Sequence, residues 1–103
     1  MKDLEAQFSQ AMFSIYGRAK RECSYNATYF WRMLLDHGGL KTAKRLLASD
    51  EPAAGFATLW EHGRLDLTVE AHVIQPRFAE LFSAEEIEKA ASRLKQYGYQ
   101  GAL

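Results

Sequence analysis

Apolar residues recur along most of this chain with the spacing of a helix, and glycines stand where the pattern breaks. Between positions 3 and 23, Leu4, Phe8, Ala11, Met12, Ile15, Tyr16, Ala19 and Cys23 keep to i, i+3/i+4, i+7 for five turns. That predicts a long helix with one face in the core. Gly17 weakens it by ~1 kcal/mol relative to Ala, a cost that close packing would justify. Ser24-Tyr25-Asn26 interrupts, and Ser24 or Asn26 is suited to cap a second helix over Ala27–His37. Phe30, Trp31, Met33, Leu34 and Leu35 cover much of that helix's circumference, which places it centrally in a bundle. Gly38-Gly39 closes it, the first glycine left-handed. A third helix over Leu40–Ala48 turns Leu40, Ala43, Leu46 and Leu47 inward and Lys41, Lys44 and Arg45 outward.

The densest stretch is Gly55–Ile74. Phe56, Leu59 and Trp60 share a helical face that Gly63 terminates. Leu65 to Val69 alternates as a strand would, yet nothing elsewhere in the chain offers it a partner. It therefore reads as a helix from Asp66 to Ile74, with Asp66 as N-cap and Pro76 as the stop. Ser49 to Pro52 forms a loop, with Pro52 suited to a first helical turn. Ser83 and Glu86 form a capping box, flanked by Phe82 and Ile87 as a hydrophobic staple. The last helix turns Ile87, Ala90, Ala91, Leu94 and Tyr97 inward and ends at Gly98, with Tyr99–Leu103 fraying. The pattern predicts a compact all-α single domain, residues 1–103, built as a bundle of five to six helices.

Composition supports that size of core: 103 residues, 48% hydrophobic, with thirteen aromatics. No run reaches the ~20 apolar residues of a membrane span, and acids occupy the start where a secretory leader would be apolar. The lone Cys23 has no disulfide partner, which fits the cytoplasm. Net charge is zero but unevenly spread. Residues 1–47 carry eight basic side chains against four acidic, and the remainder five against nine. Such asymmetry suits intramolecular complementarity, head-to-tail association or an anionic partner, and with the apolar surplus it also fits a homodimer.

Three chemistries deserve comparison. Ala27–Leu47 has the outline of a helix-turn-helix, with Lys41, Lys44 and Arg45 available to phosphates. Its outer face lacks Asn, Gln or Ser for base readout, and two helices joined by Gly-Gly are also ordinary bundle architecture. Asp66 and Glu70 fall on one helical face as a catalytic acid pair might, but no nucleophile, base and oxyanion set accompanies them. A cap role for Asp66 and a pairing of Glu70 with Arg64 or Arg77 are the plainer assignments. His62 and His72 lie ten apart without metal-ligand spacing, so neither a metal nor a cofactor is expected. Trp31, Trp60, Tyr25, Tyr29, Tyr97 and Tyr99 exceed the needs of one small core, and surplus aromatics at a surface anchor protein contacts. Arg64 would sit at the rim of such a contact.

Tyr25-Asn26-Ala27-Thr28-Tyr29-Phe30, Gly39-Leu40 with Thr42-Ala43 and Leu46-Leu47, Gly55-Phe56 with Leu59-Trp60, and Leu65 to Glu70 form an ordered set. With Phe78 to Phe82 and Tyr97-Gly98-Tyr99 they resemble a family of small all-helical bacterial hypothetical proteins. The resemblance runs from about Phe8 to Tyr99. It implies a bacterial, cytoplasmic domain that also occurs as a C-terminal extension of larger proteins, and it brings no activity. The expectation is a non-enzymatic protein-binding or adaptor module, with a protein partner favoured over nucleic acid and no membrane. Arg64, Trp60, Asp66, Glu70, Lys41, Lys44 and Arg45 are its candidate binding residues.

Overall fold

The long N-terminal pattern folds as α1, Lys2–Cys23, in a computed structural model that describes residues 2–50, 52 and 54–99. α2 (Thr28–His37), α3 (Gly39–Ala48), α4 (Ala54–Glu61), α5 (Val69–Val73) and α6 (Ala84–Gln96) follow. Two 3-10 turns, Leu65–Leu67 and Pro76–Leu81, flank α5. The architecture is all-α, with no strand and no helix fit to cross a membrane among the described residues. Glu51 and residues 100–103, read above as loop and fraying end, lie outside the described residues.

Phe8, Met12, Ile15, Ala19 and Cys23 are buried along one face of α1, as their spacing requires. Phe8 forms the hub, meeting Phe78 and Phe82 edge-on at 5.0 and 5.2 Å. α2 packs on α1 through Trp31, which lies 5.3 Å from Phe13 and 4.6 Å from Tyr16. The central place expected for α2 belongs to α3. In α2 only Leu34 is buried, whereas α3 buries Gly39, Thr42, Ala43 and Leu47 between α1, α2, α5 and α6. The reason is backbone proximity, since small residues bring α3 close to α1. A Cβ on Gly39 would stand 2.5 Å from Ser9 Cα, and Ser9 Oγ accepts the Gly39 N–H at 3.2 Å. Gly17 has no such neighbour: a Cβ there would meet only the tip of Arg21, at 3.3 Å. Close packing therefore does not account for Gly17.

One residue joins α2 to α3. Gly38 holds φ 83° and ψ 168°, an extended positive-φ conformation essentially reserved for glycine. Its N–H donates to Leu34 and its carbonyl accepts from Thr42. Gly63 and Gly98 terminate α4 and α6 as predicted. In each case the residue after the glycine donates back five positions: Arg64 to Leu59 at 2.8 Å, Tyr99 to Leu94 at 2.9 Å. The glycine N–H completes the motif, Gly63 on Trp60 and Gly98 on Lys95.

The helix starts differ from expectation in two places. Neither Ser24 nor Asn26 caps α2. Ser24 adopts φ 55° at the end of α1, and Asn26 Oδ1 accepts the Tyr16 hydroxyl at 2.8 Å. The N-cap is Ala27, which has no side chain to cap with. Likewise the segment from Asp66 to Ile74 is not one helix. Thr68 breaks it, its Oγ1 accepting the Ala71 N–H at 3.1 Å and donating to the Leu65 carbonyl at 2.7 Å. Thr68 caps α5, and Asp66 turns to Arg64 instead. The capping box at Ser83 and Glu86 is present in both directions.

Candidate functional site

Where α1 ends and α2 begins, the chain leaves an apolar cavity of about 540 Å³. Ile15 and Ala19 of α1, Phe30 and Met33 of α2, and Phe56 and Leu59 of α4 give it hydrocarbon walls. Leu46 of α3 and the segment 67–70 complete them. Gly55 lets α4 approach Tyr25, since a Cβ there would stand 3.0 Å from the Tyr25 hydroxyl. Asn26, Thr28 and Tyr29 form an exposed rim, with Tyr29 79% accessible.

The buried polar side chains of the lining, Thr68 and Glu70, are engaged by the protein. Thr68 Oγ1 both donates and accepts, and on the exposed side Tyr16 donates to Asn26. Glu70 Oε2 accepts from Arg93 Nη1 at 3.1 Å, and both side chains are only 6% exposed. Burial pushes the Glu70 carboxyl up, while its own backbone N–H and Arg93 pull in the opposite direction. Arg93 is fixed further by the carbonyls of Leu46 and Ser49 at the end of α3. The sequence offers Arg64 or Arg77 as the partner of Glu70, and the structure corrects this to Arg93. The signal was present: Arg93 stands three residues after Ala90 and beside Leu94, on the buried face of α6.

Arg64 and Asp66 belong to a separate, surface cluster. Arg64 grips Asp66 with two parallel hydrogen bonds of 3.0 and 3.1 Å and reaches Glu22 of α1 at 2.5 Å. Arg18 holds the same Glu22 at 3.0 Å. Hydrogen bonds from Arg18 and Arg64 hold the Glu22 carboxyl at about 2, and that from Arg64 lowers Asp66. Asp66 and Glu70 thus pair with different arginines, one at the surface and one inside, and form no acid pair. Among the described residues no three His, Cys, Asp or Glu side chains converge on a metal position.

The remaining candidates are scattered. Trp60 is 46% exposed and meets Tyr97 edge-on at 5.4 Å, on the small satellite core of Phe56, Leu65, Ala71 and Leu94. Lys44 is held by Glu86 at 2.8 Å and lies over the Phe82 ring at 5.2 Å. Lys41 and Arg45 are exposed one helical turn apart on α3. The basic trio is therefore divided, and α3 is walled by four other helices. Its one-residue junction with α2 is also shorter than the three- or four-residue turn of a helix-turn-helix.

No protein-family model, curated protein or solved structure matches this chain.

Proposed function

We propose that this domain is a binding module whose ligand seats its apolar part in the cavity between α1, α2 and α4. The cavity carries the reading: at about 540 Å³ it falls in the size range of ligand pockets, with hydrocarbon walls and a polar rim. The carboxylates that a hydrolytic or acid–base mechanism would use are held by arginines, which supports binding over turnover. A protein partner, expected from the surplus aromatics, would enter here through an apolar anchor beside Tyr29. Recurrence as an appended domain, implied by the resemblance to small bacterial proteins, fits a binding part better than a self-contained enzyme. The nucleic-acid alternative has less support, because Glu86 already neutralises Lys44.

An environment-sensitive naphthalene dye tests the reading. Saturable one-site binding to the wild type is expected. Ala19→Leu, which fills the cavity from α1, should lose most of that binding without loss of helicity by circular dichroism. Equal dye binding by a folded Ala19→Leu variant would remove the cavity as the site.

A further inference from the structure

We infer that the ligand is a single-chain aliphatic amphiphile, with its hydrocarbon body in the cavity and its polar head in solvent at the Asn26–Tyr29 rim. This rests on the binding reading above and names the ligand's chemistry. The first ground is polarity. The buried polar side chains of the lining, the Thr68 hydroxyl and the Glu70 carboxylate, already have protein partners. A polar ligand group placed among Ile15, Ala19, Phe56 and Leu59 would lose its water without replacement. The buried part of the ligand is therefore hydrocarbon.

The second ground is the rim. Asn26, Thr28 and Tyr29 are exposed lining residues, whereas Ile15, Ala19, Phe56, Leu59, Leu67 and Val69 of the same lining are buried. A body with one polar end satisfies that arrangement. The third ground is size. At about 540 Å³ the cavity lies in the size range of pockets that hold one small ligand. A single chain of medium length suits a pocket of that size. Met33 in the wall adds a flexible side chain that adapts to chains of different length.

The experiment is calorimetric titration with straight-chain alkanoates and alkanols of increasing length, each below its aggregation concentration. Affinity should rise about fourfold per added methylene, from the ~0.8 kcal/mol transfer free energy of a buried CH₂. The slope should match for both head groups, then flatten once the cavity is full. Ala19→Leu should bring that plateau to shorter chains. Ala27→Leu, at the rim end of the same cavity, serves should the first variant not fold. Length-independent affinity, or no binding while the naphthalene dye still binds, overturns the ligand class and leaves the binding reading intact. Failure of dye and amphiphiles alike overturns both. Sedimentation with phosphatidylcholine vesicles, with monomeric amphiphiles unbound, also overturns the inference, in favour of a lipid surface.

Discussion

Arg93 and Glu70 meet inside the protein at 3.1 Å, twenty-three residues apart in sequence and joined across α6 and α5. Removing either partner leaves an uncompensated charge in an apolar setting, which typically costs about 3–5 kcal/mol. Glu70→Ala and Arg93→Met should each destabilise the fold by about that amount in urea unfolding. The double variant Glu70→Leu/Arg93→Met should recover much of the loss. Additive losses in the double variant would show that the two side chains act independently.

The glycines of α1 and α3 have opposite expected responses. Gly39→Ala drives a methyl group into the α1 backbone at Ser9 and should cost about 1–3 kcal/mol. Gly17→Ala meets only a movable arginine tip and should stabilise by up to about 1 kcal/mol. Thermal melts of the two variants should therefore shift in opposite directions.

Ser24 ends α1 in a left-handed conformation, φ 55°, which glycine adopts without steric cost. Ser24→Gly should raise stability by about 0.5–1 kcal/mol, and an unchanged melt would show that Ser24 carries no strain.

Stability should fall in acid in two stages. Burial lowers the pKa of His72 below its ordinary 6.5; the Thr68 carbonyl, which accepts its Nδ1–H at 3.0 Å, opposes this, and Arg77 and Arg18 add repulsion. The unfolded chain therefore takes up that proton first, so the contribution of His72 is complete above pH 6.5 and declines below it. Glu22 and Asp66 are lowered by their arginines, so their contribution is present above the ordinary carboxylate range. That of Glu22 is lost as pH falls from about 4.5 toward about 2. Glu70 works in the other direction, because its raised pKa makes the folded state take up a proton earlier. Melts from pH 8 to 5 should decline in the wild type and flatten in His72→Phe.

Much of the helical layout was legible because local rules set it. The five-turn stripe of α1, the capping box at Ser83 and the glycine endings at Gly63 and Gly98 each depend on residues within a few positions. What escaped depends on the third dimension. Asp66 looked like a cap because it precedes an apolar run, but the bidentate fork of Arg64 outcompeted the helix end and left Thr68 to do the capping. α2 looked central from its composition, yet the glycine contact at Ser9 draws α3 inward instead. Arg64, Asp66 and Glu70, candidate binding residues from the sequence, are held in ion pairs within the chain, and no local rule specifies Arg93 as the partner of Glu70. The cavity is lined by residues of five helices and has no signature in any one of them.

Arg93 binds the carbonyls of Leu46 and Ser49 as well as Glu70, and this sets an order of events during synthesis. A nascent chain that has emerged only through α5 holds the end of α3 uncapped and Glu70 without its cation. Glu70 must keep its water until α6 brings Arg93 to it. Native packing around α3 and α5 is therefore completed from the C-terminal side, after residue 93 has left the ribosome.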